Sequence, residues 1–201
     1  MSRAEPIAFR HATARDLKTI LQLRDEAARW IAATGSDQWQ SAWPTPDQQA
    51  ERIAGSIAAR ETWMLNIGDN IAGTFALDDH ADPALWTPAE RAEPAFYAHR
   101  LIITRAYAGK GLGAFVLDWC SNRAAESGRK WVRVDVWTSN YRLQKYYLDQ
   151  HFSHVRTIHS EYPSGALFQR PVAVRSSGPI DISRDRRWRS NRAAPAIDHR
   201  S

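Results

Sequence analysis

Residues 105–115 read RAYAGKGLGAF, with glycines at 109, 111 and 113 directly ahead of an apolar helical pattern. A strand, a glycine loop and a helix start in succession make an anion site. The first amides of a helix lack intrahelical acceptors, and the helix dipole is positive at that end. Glycine lets an anion approach the backbone without meeting a Cβ, and Lys110 can add charge from the rim. A magnesium-bearing phosphate loop needs Ser or Thr after its lysine, whereas Gly111 follows Lys110. A dinucleotide fingerprint is formally matched by Gly109, Gly111 and Ala114. That motif belongs to the first strand–helix unit of a long doubly wound sheet, and here too little chain follows.

Other reactive side chains are scattered. In an extended segment over 95–104, residues 97, 99, 101 and 103 share a face, which groups Tyr97 and His99 with Leu101 and Ile103. An imidazole titrates ordinarily near the pH where a base is useful, so His99 is a candidate base and equally a half-buried sheet histidine. Asp135 alternates with Val134 and Val136 and reads as structural. Asp78, Asp79 and Asp82 either attract a cationic amine or form a solvated turn. Cys120 has no neighbouring histidine to activate it and reads as packing. His151 and His154 straddle a helix end, where their side chains need not converge on a metal, and no metal is expected.

These groups need elements to position them. PIAFRHA (6–12) alternates as a strand, and a helix follows from Thr13 with Leu17, Ile20, Leu21, Ala28 and Ile31 at helical spacing, Arg24 interrupting the stripe. Gly35 ends it, and a second helix starts at Pro46 or Asp47. ETWMLNIG and NIAGTFALDD form a hairpin through Gly68–Asn70, and the stretch around Pro83, Pro88 and Pro94 reads as loop. After the glycine loop come a helix with Leu112, Phe115, Val116 and Trp119 on one face, a strand over 130–137, a short helix opened by Ser139 or Asn140, and two last strands. The class is mixed α/β (α+β), with about seven strands and four helices.

LIITRAYAGKGLGAFVL resembles the acyl-CoA loop of the GNAT superfamily of N-acetyltransferases, with Gly111 and Gly113 at the glycines of its Gln/Arg-x-x-Gly-x-Gly/Ala motif. Ala108 departs from the Gln/Arg position, and Arg105 or Lys110 are the candidates to replace it. NYRLQKYYLDQHF (140–152) is similar to the family's second block, Asn140, Tyr147 and Phe152 standing at its Asn, Tyr and Phe positions, with Leu143 and His151 as departures. The resemblance covers roughly residues 6–170.

It implies a sheet splayed between its two central strands, 95–104 and 130–137, with acetyl-CoA as co-substrate. The backbone of Leu101 and Ile103 would pair with the pantetheine amides. Gly109, Lys110, Gly111, Leu112, Gly113 and Ala114 would grip the pyrophosphate, with Asn140 and Tyr147 completing the cofactor site. The implied reaction is direct attack of a primary amine on the thioester. It needs a base for the amine, an oxyanion donor, and an acid for the thiolate, the family's place for which is Tyr147. Tyr97 stands where some members carry a glutamate base. Tyr146 is expected to face outward. Trp39 and Trp43 are expected as acceptor contacts because the segment between the first two helices commonly walls the acceptor pocket in that family; Trp86 is a third loop tryptophan.

Bulk properties frame the partner. The chain has 201 residues and one cysteine, which suits a reducing cytoplasm, with no 18-residue apolar run and hence no membrane partner. Of its net charge of +5, the segment 171–201 carries most, with seven arginines against three aspartates. Domain 1–170 is thus followed by a basic tail expected to be disordered, the only part suited electrostatically to nucleic acid. The expected acceptor is a small-molecule amine, with a macromolecular amine or a non-enzymatic acyl-CoA sensor as alternatives. A homodimer is left open.

Overall fold

The computed structural model describes residues 5–40, 44–160 and 163–174. Trp43 and the segment 175–201, which holds nearly all of the expected tail, lie outside the described residues. The elements run β1 (Ile7–His11), α1 (Leu17–Ala33), α2 (Pro46–Ala58), β2 (Thr62–Ile67), β3 (Asn70–Asp78), α3 (Pro88–Ala92), β4 (Ala95–Ile103), α4 (Leu112–Glu126), β5 (Trp131–Val136), α5 (Tyr141–Asp149), β6 (Ser153–Thr157) and β7 (Ala166–Pro171). One mixed sheet has the order β1-β2-β3-β4-β5-β7-β6, antiparallel throughout except where β4 meets β5. The short α3 interrupts the stretch expected as loop. Pro88 sits in its first turn, and Thr87 and Glu90 form a reciprocal capping box, so the proline starts a helix here.

Val132, Val134 and Val136 of β5 face the apolar side of α4, where Leu112, Val116, Leu117 and Cys120 are buried. Ile20, Ile53 and Ile57 of α1 and α2 cover the opposite face around Met64. The alternation of β5 therefore sends Arg133 and Asp135 toward the α1–α2 side.

Two irregularities make the site. β4 and β5 pair only over Ala95–Tyr97 against Trp131–Arg133. Beyond that, β4 continues hydrogen-bonded to β3, and β5 to β7. The expected splay is present. Secondly, β4 carries a bulge: Ala76 opposes His99 and Thr74 opposes Ile102, so one residue of β3 faces two of β4. Arg100, in the bulge, has φ of 51°. The extra residue flips the strand, so Ile102 takes the face of Tyr97 and His99 while Ile103 takes the other. The expected grouping of 97, 99, 101 and 103 on one face is thereby corrected.

Candidate active site

A cavity of about 850 Å³ passes through the gap between β4 and β5. Its lining comes from both sides of the sheet: Arg24, Trp39 and Arg52 from the α1–α2 side, Leu112, Tyr146 and Tyr147 from the α4–α5 side. His99 sits at the opening of the splay. Its Nδ1 lies 3.2 Å from Asp135 Oδ1 and its Nε2 3.4 Å from Asp78 Oδ2. Burial opposes a charged imidazole, but the hydrogen bonds and charges of Asp135 and Asp78 outweigh it and lift the pKa to about 9. Asp78 resists ionisation through burial, yet His99 holds its pKa below the ordinary value. The three side chains come from adjacent strands, and the gap lets Asp135 and His99 both line the cavity. The argument from an ordinary imidazole pKa therefore does not apply: near neutral pH this is a cation between two carboxylates.

At the other end lies the glycine loop. Gly109, Gly111, Leu112, Gly113 and Ala114 line the cavity, as do Leu101 and Ile103. Gly109 and Gly111 have φ of 76° and 77°, the left-handed region that glycine enters without strain. A Cβ at either would meet nothing within 4 Å, whereas one at Gly113 would lie 2.5 Å from Tyr146 Oη. Tyr146 is thus turned inward, correcting the expectation that it faces outward. Its hydroxyl is buried without a hydrogen-bond partner among the described residues, and burial raises its pKa to about 12. Arg105 lines the cavity and stacks on Trp30 at 4.4 Å. Lys110 lies 5.7 Å from the Tyr107 ring and is not among the lining residues.

Tyr147 is 7% exposed and packs against Tyr146 and Phe152. Burial raises its phenol well above the ordinary value, so it holds its proton. Asn140 caps α5 by accepting from Leu143 N at 3.0 Å and donates to Gln38 Oε1 at 2.6 Å. Together with the Trp137 Nε1 donation to Asp37 at 2.9 Å, this ties the segment after α1 across the cavity.

Tyr97 is elsewhere. It is 2% exposed, packs on Trp86 and accepts from Arg133 Nη1 at 3.1 Å. It does not line the cavity, because the segment carrying Trp86 covers that stretch of β4. Trp39 does line the cavity, with φ of 62° and the Arg24 guanidinium 5.5 Å from its ring. Asp79 pairs with Arg129 and Asp82 caps Ala84 N, leaving Asp78 as the aspartate of that group that reaches the site. Cys120 is fully buried and its thiol raised to about 12 by burial. Among the described residues no cluster of three His, Cys, Asp or Glu could hold a metal, and no helix is long and apolar enough to cross a membrane.

A family model described as the acetyltransferase (GNAT) family matches residues 24–152. A curated relative, the uncharacterized N-acetyltransferase YesJ of Bacillus subtilis (strain 168), is 28% identical over 135 residues, 66% of this chain and 73% of its own. Among solved structures, a GNAT-family acetyltransferase from Listeria monocytogenes superposes with a TM-score of 0.69 at 23% identity, covering 82% of this chain and 94% of that one. PaiA N-acetyltransferase from Thermoplasma acidophilum, solved with coenzyme A, gives 0.64 at 17% identity over 83% and 99%. At those identities the structures speak to the fold.

Proposed function

The chain belongs to the acetyltransferase (GNAT) family and is an acyltransferase; we propose that it acetylates the primary amine of a small molecule by direct attack on acetyl-CoA. One arrangement carries the reading: His99, held by Asp78 and Asp135, lines the same cavity as Asp135 and Tyr147, and that cavity traverses a splayed sheet. The residues present fit the co-substrate. Leu101 and Ile103 stand on the stretch of β4 beyond its pairing with β5, where backbone groups need partners. The open cradle at Gly109 and Gly111 leaves amides for a pyrophosphate.

Bound there, acetyl-CoA supplies an acetyl group already activated as a thioester. The protein's part is proton handling and exclusion of water. Asp135 holds the incoming ammonium by charge, and His99, once deprotonated, takes its proton. With a pKa of about 9, that imidazole is closely matched to an alkylammonium near ~10. Tyr147, kept neutral by burial, donates its hydroxyl proton at the departing sulfur. Asn140 acts through position, as the cap of α5 and the tie to Gln38.

The size of the cavity, about 850 Å³, falls in the range of small-ligand sites, and Trp39 with the tied segment after α1 closes its acceptor end. The basic run SRDRRWRSNR at 183–192 favours a macromolecular amine as the second reading. Calorimetry with acetyl-CoA, followed by transfer assays over a panel of small amines, peptides and aminoacyl esters, decides between them. Micromolar binding and turnover confined to small amines are expected; turnover confined to peptides or aminoacyl esters overturns the choice. Tyr147→Phe is expected to lower kcat at least tenfold while the Kd for coenzyme A stays within threefold. Wild-type turnover in that variant removes Tyr147 from the chemistry.

A further inference from the structure

The cavity has a second charged region that amine chemistry does not use. Arg24 from α1 and Arg100 from the β4 bulge both line it on the α1–α2 side, with Arg52 from α2 beside them. Neither Arg24 nor Arg100 looks like a solvated surface cation. The Arg24 side chain is 17% exposed, and its carboxylate neighbour Asp25, at 3.5 Å, is itself 60% exposed. Its guanidinium lies over the Trp39 ring, which fixes that group as part of the cavity wall. Arg100 donates to a neutral partner, Ser56 Oγ, at 3.0 Å. Among the described residues it makes no ion pair. Burial depresses the pKa of both guanidinium groups, and arginine keeps its charge in proteins.

A cation withdrawn from water is costly when its hydrogen bond goes to a neutral group, as at Arg100, and only partly compensated when its carboxylate neighbour is itself solvated, as Asp25 is beside Arg24. The backbone bears cost here too. Arg100 and Trp39 are both non-glycine residues at positive φ, 51° and 62°, and for bulky side chains that conformation is an outlier of the kind that gathers at ligand sites. At Arg100 it turns the guanidinium toward Ser56 on α2 and into the cavity. These cations do not serve the pyrophosphate end. Arg100 adjoins His99 in the chain, whereas the glycine loop begins beyond the end of β4 and has Arg105 as its own lining cation.

Resting on the proposed amine acetylation, we infer that the acceptor is zwitterionic, an amino acid or similar amine whose oxyanionic group is bound by Arg24 and Arg100 while its ammonium meets Asp135. The planar fork of each guanidinium suits a carboxylate or a phosphonate, either of which takes two parallel hydrogen bonds. The two charges of such a ligand match the two halves of the site. Asp135 on β5 addresses the amine, with Asp78 on β3 behind His99, and arginines on β4 and α1 address the anion.

Matched acceptor pairs test this with the full chain: α- and ω-amino acids against their amides and methyl esters, and aminoalkyl phosphonates against aminoalkanols. In the wild type, kcat/KM for the anionic member is expected to exceed that for its neutral partner at least thirtyfold, chiefly through KM. Preference for the carboxylate or for the phosphonate series identifies the anion. Arg24→Gln, and Arg100→Gly, which relieves the positive φ, should each reduce that ratio at least tenfold. If neutral amines are acetylated as well as or better than their anionic partners, this inference fails while amine acetylation stands. If no amine is acetylated, the underlying reading fails. If the preference is present but survives both substitutions, the anion is bound elsewhere and the assignment to Arg24 and Arg100 is wrong.

Discussion

At the scale of single residues, the telling feature is that His99 is shared by two carboxylates. An imidazole held at about 9 is protonated at neutral pH, so activity should rise with pH along a limb near 9. The acceptor amine produces a similar limb at its own pKa, and the two are separable. Asp135→Asn removes one carboxylate, lowering the pKa of His99 but not of the amine. We expect NMR titration to place His99 at least one pH unit lower in that variant, and the lower limb of the kcat/KM profile to move with it. A limb that stays put belongs to the substrate, and His99 is then no base. Stability carries the same signature. The folded pKa is above the unfolded value of about 6.5, so the stabilisation is complete below that pH and vanishes as pH rises through about 9. Its ceiling is roughly 3 kcal/mol. The sequence displayed His99 but not this environment. Asp135 alternates with valines exactly as a structural residue would on pattern alone, and its partner Asp78 lies 21 residues ahead of His99 in the chain.

At the scale of elements, the pieces that follow periodicity were legible and those that break it were not. Alternation in 130–137 and the apolar spacing of Leu112, Val116 and Trp119 mark β5 and α4 correctly. The β4 bulge has no glycine or proline to announce it, and it alters the faces of every residue after Arg100. Arg24 is legible as a charge interrupting an apolar stripe, and the structure turns that face of α1 toward the cavity. Thr87 and Glu90 spelled a capping box that the surrounding prolines obscured. Packing of α5 onto the start of α4 is equally invisible in one dimension. Gly113 is where the Tyr146 hydroxyl comes down, so that glycine serves a neighbouring helix as well as any bound anion. Gly113→Ala should force the contact apart, destabilising by about 1–3 kcal/mol and weakening coenzyme A binding. Removing the hydroxyl leaves only the ring carbon at 3.4 Å, so adding Tyr146→Phe should restore most of the stability. Equal losses in the single and double variants would show that backbone, not the tyrosine, sets the requirement for glycine.

At the scale of the whole molecule, the splay poses a mechanical problem: β1–β4 and β5–β7 are joined directly by one short parallel ladder. Arg133 sits at the end of that ladder, fully buried. Its guanidinium donates to Glu90 O at 2.6 Å, to Tyr97 Oη at 3.1 Å and to Gln169 Oε1 at 3.2 Å, pairs with Glu93, and lies 4.8 Å from the Trp86 ring. It thereby binds β4, β7 and the segment around α3 to β5 just where the strands begin to part. Glu93 is 41% exposed and can return to water when its partner is removed, which limits the penalty. Arg133→Met should still cost about 2–4 kcal/mol, since Tyr97 and Gln169 lose a buried donor. Chemical denaturation measures that loss as a lower midpoint at unchanged slope. A ligand bridging the gap stabilises only the folded state, adding about 2.7 kcal/mol at a concentration one hundred times its Kd. Were the width of the gap set by the helices alone, the variant would lose stability and keep the wild-type Kd for coenzyme A. We expect instead that its Kd rises at least fivefold, so that a fixed coenzyme concentration shifts the variant's midpoint less than the wild type's, because the clamp that closes one end of the cleft also determines how far the other end opens.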